Sequence, residues 1–149
     1  MAYVTRCVRS AAENDHRHLL QELYKAFMTF ARDPAPIVRQ AAVFGIGVLA
    51  QQSGESFVPL VHEVLSMLVP LVSMPEALSE DNLPATENVI SAISKVCITH
   101  PNAVGEHLQQ MIALVASNLP LELDLDEAVI VHEHLCHYLS TYVPQLEEH

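Results

Sequence analysis

The sequence predicts an all-α fold, an α-solenoid of about three to four antiparallel helical hairpins. Apolar residues recur at intervals of three and four over most of the 149 residues, the period of helices with one buried face. No stretch alternates with period two for long enough to predict a strand. The small residues Gly45, Ala92 and Cys136 recur at spacings of 47 and 44 residues, and we take them as the points where neighbouring helices pack. Arrays of this kind usually bind partners on a surface.

The N-terminal part is predicted to contain a lone helix, 2–13, and a first hairpin, 16–51. The first helix of the hairpin, 16–32, has leucine and phenylalanine residues on one face. The Asp-Pro-Ala-Pro sequence at 33–36 ends it, since proline cannot continue a helix but fits the first turn of the next one. The second helix is therefore expected at 36–51.

A second hairpin is predicted over 56–99. Its first helix, 56–73, is strongly apolar, and Pro70 should kink it or end it. A polar loop at 74–82 separates this helix from the second one, 84–99. The hairpin is thus expected to supply much of the core.

A third hairpin is predicted over 106–142. It pairs a shorter helix at 106–117 with a longer one at 125–142. With the lone helix and the other hairpins, this makes residues 1–149 a single segment of repeats.

Length and composition exclude several classes of protein. No uninterrupted apolar run reaches the roughly 18 residues that a membrane span needs. The first residues lack the pattern of a secretory signal. The cysteines Cys7, Cys97 and Cys136 are odd in number and far apart, which favours reduced thiols in cytosol or nucleus over a disulfide framework.

Charge is distributed unevenly within the net charge of −11. Residues 1–39 hold six of the seven basic groups against four acids, whereas residues 40–149 hold fourteen acids against Lys95 alone. Nucleic acid would be repelled by the acidic part, so direct binding to it is not expected. A basic protein would be attracted. An acidic surface that only keeps the protein soluble is the alternative.

The histidine-rich sequence at 132–137 suggests metal chemistry. His132 and Cys136 are four residues apart on a predicted helix and could clamp zinc. The stretch nearly matches the zinc-protease pattern His-Glu-x-x-His, but its fifth position is cysteine and no third ligand is evident. No phosphate loop, nucleophile elbow or pair of catalytic carboxylates occurs. We therefore expect no enzyme, no metal and no cofactor, with a metal-binding helical protein as a minor alternative.

The first turn of the second helix carries a family signature. Asp33, followed by Val38, Arg39 and Ala42, resembles the HEAT-repeat pattern. In that family the Asp and Arg side chains of successive repeats form a ladder while the valine is buried. The resemblance implies structural roles for Asp33 and Arg39.

A more specific resemblance covers residues 16–142. The stretch at 38–51 looks like part of the C-terminal region of importin-β family nuclear transport receptors, in the branch that carries ribosomal proteins and histones. The stretch at 85–92 and the Leu-Pro-Leu at 119–121 ahead of 126–129 look like the next two landmarks, in the same order. Such receptors are several times longer, so the resemblance implies a fragment that works in cytoplasm and nucleus.

The resemblance also implies a binding surface. In these receptors the second helix of each repeat lines the concave face, where acidic side chains and asparagines hold basic cargo. Carried over by position, the candidate cargo-binding residues are Glu80, Asp81, Glu87, Asn88, Asp124, Asp126, Glu127 and Glu133. Acids at a helix start are also favoured by the helix dipole, which is the structural alternative for each of them.

The implied partner is therefore a basic protein, a histone or a ribosomal protein. A HEAT-repeat scaffold with no transport role is the competing function. Uncapped repeat ends would expose apolar faces, so self-association is a further expectation.

Overall fold

The computed structural model of the chain describes residues 1–14 and 16–147, with side chains as far as Thr141. The described residues form helices and turns and contain no strand. The all-α prediction is confirmed. The α-helices are α1 (Ala2–Glu13), α2 (Arg17–Phe30), α3 (Pro36–Gln52), α4 (Val61–Val72), α5 (Leu83–Thr99), α6 (Pro101–Val104), α7 (Leu108–Ser117) and α8 (Leu125–Glu147).

Two of these helices begin differently from the prediction. A 3₁₀ segment, Gly54–Leu60, leads into α4, and it includes Pro59, which cannot donate a helical hydrogen bond. A separate short helix, α6, precedes α7 because Gly105 has a φ of +61°, which interrupts the helical backbone. Pro70 lies inside α4, which ends two residues later at Val72.

The helices pack in two layers around α5. Helix α5 contacts both α3 and α8. Helices α4 and α7 also pack against α5, and helices α1 and α2 pack against α3. Every residue of α5 from Ala85 to Cys97 is buried, although the helix includes Glu87, Asn88 and Lys95. The central helix is therefore surrounded on all sides, and its polar side chains must find partners inside the fold.

Small residues allow the closest approaches between helices. A Cβ atom added at Gly45 would lie 2.6 Å from the ring of Phe27 on α2. One added at Gly47 would lie 3.4 Å from the Cα atom of Ala92 on α5. Gly45 thus sets the contact of α3 with α2, and Gly47 sets its contact with the next repeat.

The packing role predicted for Cys136 is wrong. This cysteine is exposed. The side of α8 that faces the core instead presents Ala128, Val131 and Tyr138, all buried. A shift of five residues from Val131 turns a side chain to the other side of a helix, so Cys136 points away from α5.

Arg39 connects two repeats through its guanidinium group. Its Nη1 donates to the backbone carbonyls of Asp33 (2.8 Å) and Pro34 (3.0 Å), and its Nη2 donates to Oδ1 of Asn82 at the start of α5. The Asp33 carboxylate accepts from the backbone N–H of Ala35, at 2.8 Å. Arg39 therefore reaches the next repeat through an asparagine, while Asp33 stabilises the turn before α3.

One described stretch, Gly54–Val72, has the length and composition of a membrane-crossing helix. It is not an uninterrupted apolar run, since it includes Glu55 and Glu63. Its side chains Val61, Val64 and Leu68 are buried in the core, where α4 packs against α5. A helix that buries one face in a protein core has the same kind of composition.

Candidate functional site

Glu87 is not a surface acid. It is buried, and it binds backbone N–H groups of the segment that precedes α8. Its side chain is buried, and its Oε1 accepts a hydrogen bond from the backbone N–H of Glu122 at 2.7 Å. Its Oε2 accepts from the N–H groups of Leu123 (3.0 Å) and Asp124 (3.2 Å). One carboxylate thus satisfies three backbone donors just before α8 begins. The expectation that Glu87 contacts cargo is corrected, because its side chain is buried and is bound to three backbone N–H groups inside the fold.

Glu127 forms a buried ion pair with Lys95. Nζ of Lys95 lies 2.6 Å from Oε2 of Glu127, and their side chains are 3% and 6% exposed. The hydroxyl of Ser91 donates to the same carboxylate oxygen, and the Lys95 ammonium group lies 4.9 Å from the centroid of the Phe44 ring. Helix α8 is therefore fastened to α5, and α5 to α3, by one charged cluster. Glu127 is accordingly corrected from a cargo residue to a structural one.

Asn88 is also buried, with 1% of its surface exposed. Its Nδ2 donates to the backbone carbonyl of Pro84 at 3.0 Å, one turn earlier in α5, and its Oδ1 has no hydrogen-bond partner among the described residues. A side chain enclosed in this way cannot hold the backbone of a partner. The expectation for Asn88 is corrected for the same reason as for Glu87.

A second polar contact joins α5 to α8 further along both helices. Ser94 Oγ and His134 Nδ1 are hydrogen-bonded at 2.8 Å. Burial lowers the pKa of His134 below its ordinary value, and the nearby Lys95 acts in the same direction, although Glu133 and Glu127 oppose it. The packed interface between α5 and α8 therefore favours the neutral form of the His134 imidazole.

An open groove lies beside the buried acids Glu87 and Glu127, where α3, α5 and α8 begin. It encloses about 630 Å³ and is lined by Gln40, Pro84, Leu123, Asp124, Leu125 and Asp126. We call it the α8 groove. The hydrogen bonds of Glu87 hold the segment that forms one wall of the α8 groove. Glu87 therefore helps to determine the shape of this groove.

The α8 groove combines acidic and apolar groups. Asp124 Oδ1 accepts from the backbone N–H of Glu127 at 3.2 Å, so this carboxylate caps α8. Asp126 is exposed. Leu123 and Leu125 are 54% and 70% exposed, large values for leucine. Chemically, the groove can pair with a positive charge at Asp126 and cover an apolar side chain beside it.

The remaining predicted acids lie outside the groove. Glu80 and Asp81 are exposed in the turns before α5, and Glu133 is exposed on α8. They leave their carboxylates in solvent and add negative potential to this part of the surface.

The histidine and cysteine singled out as a metal clamp share one face of α8. His132 and Cys136 are both exposed. Within residues 1–14 and 16–147, no group of three or more His, Cys, Asp or Glu side chains is arranged to hold a metal ion. The pair supplies two ligands and the chain supplies no third in the described part.

Sequence reasoning missed the residues that organise the site. Lys95, Ser91 and Ser94 were not singled out. A signal was present, because Ser91 and Lys95 are four residues apart, and one turn of helix places such residues side by side. Identifying their partners required the three-dimensional contact with α8.

No protein-family model matches the chain. Among curated proteins, a probable importin-5 homolog of Dictyostelium discoideum is 31% identical over 114 residues, which is 74% of this chain and 11% of that protein. Importin-4 of Mus musculus is 29% identical over 126 residues, 85% of this chain and 11% of that protein. Importin subunit beta-3 of Saccharomyces cerevisiae is 28% identical over 111 residues, 74% of this chain and 10% of that protein. The chain thus spans about a tenth of the length of these relatives.

Removing one member of the buried ion pair should destabilise the fold. We expect Lys95→Met to lower the free energy of unfolding by about 3 to 5 kcal/mol, because it leaves the Glu127 carboxylate buried and unpaired. The double variant Lys95→Met with Glu127→Leu should recover most of the loss, since no buried charge remains. Urea unfolding followed by circular dichroism measures both. Equal losses in the single and double variants would contradict this account.

Acidification should loosen the contact of α8 with α5. The pKa of His134 is lower in the folded state than in the unfolded chain, so its contribution is complete above the unfolded value and is lost as pH falls through the folded value. The free energy of unfolding should therefore decrease as pH drops below the ordinary histidine range. His134→Gln should flatten part of this dependence, whereas His132→Gln, at an exposed position of the same helix, should not. Identical pH profiles for the wild type and His134→Gln would refute it.

Proposed function

The chain belongs to the importin-β family, and from that premise we propose that it is a segment of a nuclear import receptor that binds basic protein cargo. Its all-α HEAT-repeat fold is a scaffold for binding, and we propose no catalytic role. The localisation that follows from the family is cytoplasm and nucleus. Within this fold we propose the division made from the sequence: one segment over residues 1–149, with a lone helix at 2–13 and hairpins at 16–51, 56–99 and 106–142.

The α8 groove is the observation that carries the proposal. Asp126 leaves a carboxylate in solvent beside the exposed side chains of Leu123 and Leu125. A peptide in which a lysine or arginine stands next to an apolar residue would satisfy both features at once. Basic proteins such as histones and ribosomal proteins offer lysine and arginine side chains, and we propose that cargo of this kind binds here.

Long-range electrostatics supports the same partner. Residues 40–149 carry fourteen acids and one lysine, so a basic chain would be attracted before it makes contact. Glu80, Asp81 and Glu133 contribute to this field from exposed positions and remain proposed cargo contacts. Such attraction chiefly raises the rate of association and weakens as salt is added.

The buried acids have a different role in this proposal. Glu87 and Glu127 hold the segment 122–124 and α8 in position, so they shape the groove without touching cargo. Asp124 caps α8 and is accessible from the groove, so it combines the two roles.

Reversing one exposed charge in the groove should weaken binding of basic cargo. We expect Asp126→Lys to reduce the affinity for a fluorescent histone-tail peptide at low salt by roughly tenfold, since it replaces an attraction by a repulsion. The matched control is Glu106→Lys, because Glu106 is also exposed but lies outside the groove. The control has the same net charge and should lose much less affinity. Fluorescence anisotropy titrations at several salt concentrations measure both variants.

The same titrations separate transport cargo binding from a scaffold without that role. Binding that falls with salt and is selectively lost in Asp126→Lys supports the proposed function. No binding at low salt, or equal losses in Asp126→Lys and Glu106→Lys, would refute it and favour the scaffold.

A further inference from the structure

A short chain of hydrogen bonds connects the loop at 74–82 to the buried Arg39. The hydroxyl oxygen of Ser79 accepts from Nδ2 of Asn82 at 2.9 Å, and Oδ1 of Asn82 accepts from Nη2 of Arg39. Arg39 is 6% exposed, and the acceptors that it binds in the described part of the chain are all uncharged oxygen atoms. Hydrogen bonds between two ionised groups are stronger than those to neutral acceptors. This buried cation is therefore suited to an anionic partner.

An open pocket lies beside this chain of hydrogen bonds, between the turn after α2 and the loop after α4. It encloses about 460 Å³, and its lining residues all fall within 32–82. Arg39 and Asn82 line it, together with Arg32, which is exposed. Asp33 and Glu76 also line it, so the formal charges of these four ionisable side chains cancel. A phosphate group has room here, and it would gain from direct contact with guanidinium groups, whose planar fork matches its oxygens.

The loop that carries Ser79 has a defined shape. The backbone N–H groups of Ser79 and Asn82 donate to the carbonyls of Glu76 (2.9 Å) and Ser79 (3.1 Å), so the loop is a series of tight turns. Ala77 is buried, and its carbonyl accepts from the hydroxyl of Thr86 at 2.7 Å, which anchors the loop to α5. Ser79 is thus held next to the pocket.

The residues around Ser79 are those that attract an acid-directed protein kinase. Leu78, Glu80 and Asp81 are exposed, and Ser79 between them is half-buried. Two acids follow Ser79 directly, and Glu76 stands three residues before it. Kinases select substrates partly by charge pattern, and carboxylates that flank a serine favour a kinase with a basic peptide site. The loop therefore combines a modifiable hydroxyl with the charges that such an enzyme recognises.

We propose that Ser79 is a phosphorylation site for an acid-directed serine kinase, and that its phosphate group binds Arg39 and Arg32 in the adjoining pocket. In the transfer, Ser79 Oγ bonds to the γ-phosphorus of ATP and the bond from that phosphorus to the oxygen of ADP breaks. The hydroxyl proton passes to the catalytic base of the kinase. The product carries close to two negative charges at neutral pH. It gives Arg39 an anionic partner and strengthens the link between the first and second hairpins, which runs through Asn82.

Phosphorus NMR of the full chain, with Ser79 replaced by phosphoserine, tests the contact. The matched control has phosphoserine in place of Ser73, which is exposed just before the same loop and is not among the lining residues of the pocket. The second pKa of the phosphate should be lower at 79 than at 73 by about one pH unit, since guanidinium groups stabilise the dianion. Glu80 and Asp81 alone would raise this pKa, so the sign of the difference identifies the arginine contact.

Two arginine variants assign the contact to its partners. Arg32→Gln, at an exposed position, should bring the pKa of the phosphate at Ser79 part of the way to the control value. Arg39→Lys should do the same, because an ammonium group cannot bind a phosphate in the bidentate way of a guanidinium group. Neither variant should move the pKa of the phosphate at Ser73. Circular dichroism verifies that each variant is folded.

Treatment of the wild type with ATP and either casein kinase 1 or casein kinase 2, two acid-directed enzymes, tests the modification itself. Mass spectrometry should find phosphate at Ser79, and Ser79→Ala should lack it. The double variant Glu80→Gln with Asp81→Asn should be modified roughly tenfold more slowly, because it loses the charges that attract the kinase. The proposal is overturned if neither kinase modifies Ser79, or if the phosphate at 79 has the same pKa as the phosphate at 73 or a higher one.

Discussion

The burial of ionised side chains on α5 is the constraint on which the rest of the structure depends. Glu87 and Lys95 lie on a helix that is surrounded by α3, α4, α7 and α8, so neither can keep its charge in water. An isolated buried charge is very unfavourable, and each must therefore be paired inside the fold. The backbone N–H groups of residues 122–124 serve Glu87, and Glu127 serves Lys95.

These pairings connect the core to the surface. The segment that Glu87 holds is also a wall of the α8 groove, and the helix that Lys95 holds carries Asp126 at an exposed position. Acidic residues therefore divide into two groups along the same short stretch of chain. The enclosed ones determine geometry, and the solvated ones are available to a partner.

Much of the fold could be predicted from the sequence, because the apolar period and the proline turns report directly on local structure. The turn at 33–36 is an example, since it separates α2 from α3 as predicted. The roles of Glu87, Asn88 and Glu127 could not be predicted in this way. An acid near the start of a helix is usually solvated. Glu87 and Asn88 are buried because α5 has neighbours on every side, and Glu127 is buried because α8 packs against α5. The orientation of Cys136 likewise depended on which face of α8 meets α5.

Amide hydrogen exchange at residues 122–124 tests the central claim most directly. These N–H groups lie just before α8, yet each donates to the Glu87 carboxylate. The account predicts that NMR will find them protected in the wild type, with protection lost selectively in Glu87→Gln, because an amide accepts fewer and weaker hydrogen bonds than a carboxylate. Fast exchange of these amides in the wild type, at the rate of an unstructured loop, would contradict it.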